Sequence, residues 1–259
     1  EKPLIAAKEK TASVVISGQV NRMLMLADDG DKTKLYNVDN NNSSTRVNIL
    51  ASHTPADSEI TVGAQIEAEL RSNSSVEVNQ DNEDTGTVSF RDRKVEVFAQ
   101  HKRYGKVWLG QGSTATDGTS EVDKSGTSVV AYSAITDLAG GLLFFDDDAD
   151  ELSDTSIGEA FNNFDGNGRL DRIRYDSPSL AGLTLSGDIA SNQRWSTAVV
   201  WDKAIEGFSA GAAFGYSDPG GDSDYLVNGS ASVLHLGTGL SFTAAAGTRD
   251  FAGRDNGQN

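Results

Sequence analysis

Between Glu59 and Arg71 the chain alternates without a break. The even positions read Ile60, Val62, Ala64, Ile66, Ala68 and Leu70, the odd ones Glu59, Thr61, Gly63, Gln65, Glu67, Glu69 and Arg71. A pleated strand sends successive side chains to opposite faces, so this segment has one apolar face and one polar, charged face. A helix would scatter both sets around its circumference. The run is also well above the usual length of about five or six residues for a globular strand. Similar alternation returns, with variable clarity, near 13–27, 45–53, 88–101, 106–112, 169–176, 182–191, 194–203, 207–216, 225–236 and 239–249. Together these predict about eleven strands and an all-β chain.

Strands of about 9–11 residues are what a tilted segment needs to cross hydrocarbon. The connections alternate as well. Short turns at 102–105, 177–182, 204–207 and 236–239 take turns with longer polar stretches at 28–44, 72–87, 112–168 and 217–224. One rim of tight turns and one of long loops is the asymmetry of a transmembrane antiparallel β-barrel. Hydrophobic residues make up only 37 % of the chain, but a barrel strand shows lipid every second residue, so its membrane signal is hidden in alternation. The longest apolar candidates, such as Leu142 to Phe145, fall far short of the roughly 18 residues of a membrane helix. Tyr104, Trp108, Tyr175, Trp195, Trp201, Phe208, Tyr216 and Tyr225 lie near predicted strand ends, where interfacial girdles place aromatic rings.

Charge and cysteine count remove whole classes of function. A formal net charge of −16 argues against a nucleic-acid partner, which needs cations to displace phosphate counterions. The absence of cysteine excludes disulfides, thiol catalysis and cysteine-bound metals.

Four stretches carry a family likeness: Ser17-Gly18-Gln19-Val20-Asn21-Arg22, Val38-Asp39-Asn40-Asn41-Asn42-Ser43-Ser44-Thr45-Arg46, Leu109-Gly110-Gln111-Gly112-Ser113 and Arg172-Ile173-Arg174-Tyr175-Asp176-Ser177-Pro178. In content and order they resemble signature stretches of the general bacterial porins of the Gram-negative outer membrane. The resemblance implies a homotrimer of barrels of about sixteen strands in outer-membrane lipid and lipopolysaccharide, passing small hydrophilic solutes and ions. It also implies a long third external loop folded inward to narrow each pore, and segment 112–168 has the position and length for it. On this reading 1–12 is an N-terminal extension and 13–259 is barrel. The family closes on a strand with a C-terminal aromatic, whereas this chain stops at Asp255 to Asn259 in what reads as an external loop; roughly five strands are then expected beyond it.

Parity nominates the pore lining. If Val47, Ile49 and Ala51 face out, Arg46 and Asn48 face in; the same rule turns Lys94 and Glu96 inward against Val95, Val97 and Ala99. Arg172 and Arg174 face in beside Ile173 and Tyr175, as does Arg194 beside Trp195. Arg22 shares parity with outward Val20 and Leu24 and is set aside. Glu67 and Glu69 are the acidic members of the wall. Opposite the wall cations, Gly140-Gly141 would let the long loop turn tightly and Leu142 to Phe145 would pin it to the inner wall. Asp146, Asp147, Asp148, Asp150 and Glu151 would then face the channel. Acids across from guanidinium groups create a transverse field that orients dipolar solutes, and arginine keeps its charge at any relevant pH.

Other patterns carry less. Gly110 to Ala115 fits a dinucleotide fingerprint loosely, but no helix follows. Asp165-Gly166-Asn167-Gly168 begins like a calcium loop, yet Arg169 stands where an oxygen ligand belongs, so it reads as a turn. No cofactor is expected, beyond adventitious Ca2+ in the acidic loops. Glu67 and Glu69 lie about 6.5–7 Å apart along one face, a spacing an inverting glycosidase could use, though nothing else suggests a sugar cleft. The three histidines, His53, His101 and His235, are isolated. The chain is expected not to be an enzyme. The alternatives are a secreted or surface β-rich adhesin or binding module, made plausible by the acidic loops, and a barrel enzyme built on the Glu67 and Glu69 pair.

Overall fold

The computed structural model describes residues 12–86, 88–132, 134–221 and 223–251. Fifteen strands and two short helices follow in order: β1 (Ala12–Gln19), β2 (Arg22–Asp28), β3 (Thr33–Asp39), β4 (Arg46–His53), β5 (Ile60–Arg71), β6 (Ser89–His101), β7 (Gly105–Ser113), α1 (Ile135–Ala139), β8 (Leu143–Asp146), β9 (Glu151–Ser156), α2 (Ile157–Ala160), β10 (Arg169–Asp176), β11 (Leu183–Ala190), β12 (Trp195–Ile205), β13 (Phe208–Asp218), β14 (Ser223–His235) and β15 (Ser241–Phe251). Eleven of them form one antiparallel sheet in the order β1-β4-β5-β6-β7-β10-β11-β12-β13-β14-β15. The remaining four form two separate hairpins, β2-β3 and β8-β9. The expected single strand over 13–27 is thus two elements in different sheets, and the stretch 28–44 holds strand β3. Strand β7 runs to Ser113, so the long connection covers 114–168. The expected extension at 1–12 lies outside the described residues except for Ala12, as does the external loop at Asp255 to Asn259.

The two faces of the sheet are inverted relative to a water-soluble protein. Ile60, Val62, Ile66, Val95, Val97, Val107, Leu109 and Ile173 are exposed, while Glu67, Glu69, Glu96, Arg172, Asp188 and Asn228 on the other face are buried. In β5 the contrast falls between neighbours: Ile66 is 52 % exposed and Glu67 9 %. Apolar side chains gain nothing from facing water, and buried charges are tolerated only when paired. This arrangement therefore suits hydrocarbon outside and a polar interior.

Apolar packing is found instead in a small cluster beside the sheet. Met25, Tyr36 and Val38 of the β2-β3 hairpin pack against Val78, Ala139 and Leu142. The hairpin's opposite face carries Leu24, Leu26 and Leu35, each more than 60 % exposed.

Gly63 shows how tightly the inner wall is built. A Cβ there would collide with the Ala51 carbonyl and with the Phe98 ring, which lies over the glycine. Gly63→Val should cost about 1–3 kcal/mol through overpacking. A fall in the urea midpoint of the detergent-solubilised protein measures it, and an unchanged midpoint would refute the contact.

Candidate pore constriction

Segment 114–168 crosses the inside of the sheet. Its first limb is tied to β14: Thr119 Oγ1 donates to Asn228 Oδ1 at 2.8 Å, and Ser230 Oγ donates to the Thr119 carbonyl at 2.8 Å. The backbone N–H groups of Val122 and Lys124 donate to Ser230 Oγ and Ser232 Oγ, each at 2.9 Å. Lys124 also pairs with Asp202. Farther on the chain reaches the other side, where the side-chain amides of Asn21, Asn40 and Asn42 donate to the carbonyls of Val129, Val130 and Ser128 at 2.8, 2.8 and 2.6 Å. The returning limb meets β14 again, with Asn228 Nδ2 donating to the Phe164 carbonyl at 2.5 Å. Small polar side chains on the inner wall serve as fastenings because each offers a donor or an acceptor to a loop backbone that has no ladder of its own.

Cations of the wall gather on β4, β5, β6 and β10. Arg93 Nε contacts Glu67 Oε1 at 2.6 Å and its Nη1 contacts Glu69 Oε2 at 3.1 Å. Arg71 pairs with Glu69 and, at 3.2 Å, with Glu77, which also meets Arg91 at 3.0 Å. Arg46 Nη1 stands 3.9 Å from Glu67 and its Nη2 donates to Ser43 Oγ. Glu67 and Glu69 therefore brace arginines, and neither is a free carboxylate of the kind a glycosidase base requires. Arg93 was not anticipated. A bulge in the β5-β6 ladder sets Glu67 against Lys94 and Ala68 against Asp92, and Arg93 is the extra residue; bulges re-aim side chains in this way. Arg93 and Lys94 consequently both line the interior.

Facing these cations across a cavity of about 500 Å³ are Asp117, Glu121, Asp137 and Asp165 with Tyr132. Glu121 accepts from Tyr132 OH at 2.7 Å and from Asn163 Nδ2 at 3.0 Å. Asp165 accepts from the Gly118 N–H at 2.7 Å and from Ser120 Oγ at 3.2 Å, and Asp117 stands 3.6 Å from Arg169. Burial pushes Glu121 up to about 7, the neighbouring Asp137 and Asp117 adding to the shift. Burial, then Glu121 and Asp117, pushes Asp165 up to about 8. Burial raises Asp137 too, and burial together with Glu121 raises Tyr132. Arg93 and Arg169 line both this cavity and a second one of about 330 Å³ that also meets Arg46 and Lys94. They stand at the waist between the two.

Several expected positions need correction. Asp146, Asp147, Asp148, Asp150 and Glu151 sit at the tip of the β8-β9 hairpin, all exposed, and no ion pair joins them among the described residues. The apolar residues before them are the reason: Leu142 packs with Tyr36 and Val38, and the Leu143 N–H donates to Gln80 Oε1 at 3.0 Å, so the hairpin follows β2-β3 and not the inner wall. Arg194 belongs to the turn ahead of β12 and donates to the Ser191 carbonyl. Arg172 and Arg174 do face inward, but both are tied down. Arg172 is held by Glu96 and the carbonyls of Ser113 and Gly110, Arg174 by Asp176 and the carbonyls of Ser113 and Thr114. Trp108 also points inward, its Nε1 donating to Asp176 at 2.8 Å, and takes no part in an outer girdle. Among the described residues no three His, Asp or Glu side chains converge as a metal site.

An outward apolar face, a charged interior and a loop fastened across it define the fold class, an antiparallel sheet of the outer-membrane β-barrel type. Solved structures with this fold include OmpT, an outer membrane protein of Vibrio cholerae, matched over 97 % of this chain and 68 % of that one at TM-score 0.55 and 12 % identity. OmpF of Salmonella typhi, in complex with daunomycin, matches over 95 % and 68 % at 0.54 and 12 %. The anion-selective porin of Comamonas acidovorans matches over 93 % and 70 % at 0.52 and 16 %. No protein-family model and no curated protein matches the sequence.

Proposed function

We propose that the protein is a porin of the bacterial outer membrane, a water-filled channel through which ions and small hydrophilic solutes diffuse passively, without catalysis. The observation that carries this reading is the burial of Glu67, Glu69, Glu96 and Arg172 behind exposed Ile60, Val62, Ile66 and Ile173. A charged interior has a use when it lines water. The narrow part lies between Arg46, Arg93 and Arg169 on the wall and Asp117, Glu121, Asp137 and Asp165 on the crossing loop, where opposed charges set a transverse field.

Three copies assemble through the side bearing β1, β4 and the β2-β3 hairpin, the rest of the outer surface facing lipid and lipopolysaccharide. The support is the exposed stripe of Val20 and of Leu24, Leu26 and Leu35 on a hairpin separate from the main sheet, which a neighbouring copy would cover. A trimer should run anomalously in unheated gels.

Single-channel recording in a planar bilayer, with the reversal potential in a salt gradient, tests the reading. Stepwise conductance is expected, and Arg46→Ala with Arg93→Ala should raise the cation-to-anion permeability ratio roughly sevenfold, as a change of one kT in local potential would, favouring the cation and disfavouring the anion by the same factor. A protein that extracts without detergent and never conducts would instead be the secreted adhesin.

A further inference from the structure

The β7-β10 ladder sets Lys106 directly opposite Asp176, where opposite charges ordinarily pair. Here the acid is already occupied. Asp176 Oδ1 accepts from Arg174 Nε at 2.8 Å and from Ser186 Oγ at 2.7 Å, and its Oδ2 accepts from Trp108 Nε1 at 2.8 Å. Lys106 places Nζ 3.6 Å from the centroid of Trp108 and 3.8 Å from that of Phe98, with Asp176 and Glu96 close enough to act on it through space. No carboxylate forms an ion pair with it among the described residues.

The two rings make a shelf. Their centroids are 5.2 Å apart and their planes tilted by 56°, and Phe98 is seated over Gly63 on the wall. Both point inward, since the adjacent Val97, Val107 and Leu109 are exposed on the outer face. Much of the buried inner face elsewhere is Ser17, Ser186, Ser196, Asn228, Ser230 and Ser232, so an aromatic pair is out of keeping there. Ring quadrupoles hold an ammonium group but do not neutralise it. The result is an unspent positive charge beside an apolar surface, inside the sheet and near the short turn at 102–105.

We propose that Lys106, Trp108 and Phe98 form a docking station for small solutes that join a carboxylate to a flat apolar group. The carboxylate meets Lys106 Nζ and the apolar group lies against the rings. This rests on the channel reading above and names a solute class for it.

Benzoate is the probe, with acetate as its ringless counterpart, each added to single channels in potassium chloride. Benzoate should reduce conductance in a saturable way and at lower concentration than acetate. Lys106→Met should weaken the apparent benzoate affinity about tenfold, the loss of a charge-assisted contact, and Lys106→Arg should retain it. Trp108→Leu should bring benzoate down to the level of acetate. Equal action of the two anions on the unaltered protein, or an unchanged benzoate response in Lys106→Met, overturns the proposal. If no conductance appears at all, the channel reading fails separately, and calorimetric titration of benzoate into detergent-solubilised protein decides the station alone: heat lost in Lys106→Met supports it, and no heat overturns it.

Discussion

Arg172→Ala is expected to destabilise the sheet by about 3–5 kcal/mol, the cost of stranding one member of a buried ion pair. Arg172 Nη2 lies 2.5 Å from Glu96 Oε2, and each side chain is 2 % exposed. The same guanidinium donates to the carbonyls of Ser113 and Gly110, each at 2.9 Å, so its removal leaves those acceptors and a buried carboxylate without their donor. Gly112 across the ladder has no side chain to fill the space, and a Cβ there would press on both partners. Equilibrium unfolding in urea, in micelles or vesicles, measures the loss. Glu96→Leu with Arg172→Met should recover most of it, because replacing both members by apolar groups removes the unpaired charge. An alanine variant that unfolds at the native midpoint would show the pair to be solvated. The reversal potential should change little in the double variant, since a neutral pair is exchanged for a neutral one.

The second large effect is on selectivity against pH. Glu121 and Asp165 are raised to about 7 and about 8, so below both values they are uncharged and the crossing loop turns less negative charge towards the cavity. As pH rises through that window both ionise, facing Asn163, Tyr132, Ser120 and Arg169 as well as the two other acids, and the loop gains up to two negative charges. Cation preference should therefore climb between about pH 6 and 9 and level off above it. Glu121→Gln with Asp165→Asn should flatten the climb without abolishing conductance. The stability linkage runs in the opposite direction and over a wider window, from the ordinary carboxylate range up to the raised values. Both carboxyls bind protons more tightly folded than unfolded, so their contribution is fullest below the ordinary carboxylate range and is lost as pH rises through 7 to 8. A selectivity that is flat from pH 6 to 9 in the unaltered protein would place these acids away from the ion path.

The strands and their faces were legible because alternation reports one variable, which side of a pleated sheet meets water. That sufficed for Arg46, Lys94, Arg172 and Arg174, and for Glu67 and Glu69. It failed for Arg93, since a bulge is an extra residue in one strand that only the partner's register reveals; the crowding of charge at Arg91-Asp92-Arg93-Lys94 was its one outward sign. It failed differently in the loop. The run from Asp146 to Glu151 drew attention by being contiguous, but adjacent carboxylates repel and stay hydrated, whereas buried acids need separate donors. Asp117, Glu121, Asp137 and Asp165 are scattered over about fifty positions with no shared period, and Asp165 reads locally as the start of a turn. Only the fastenings of the loop to Asn228, Ser230, Asn40 and Asn42 bring them together.

Those fastenings reach beyond electrostatics. A span clamped at both ends behaves as a strut, which resists swinging aside and also keeps its two abutments a set distance apart. In the proposed channel the width of the passage would then be set more by covalent chain length than by whatever passes through it. Current through such a bore should be steady, and a cut anywhere in the strut should soften the surrounding wall as well as widen the passage.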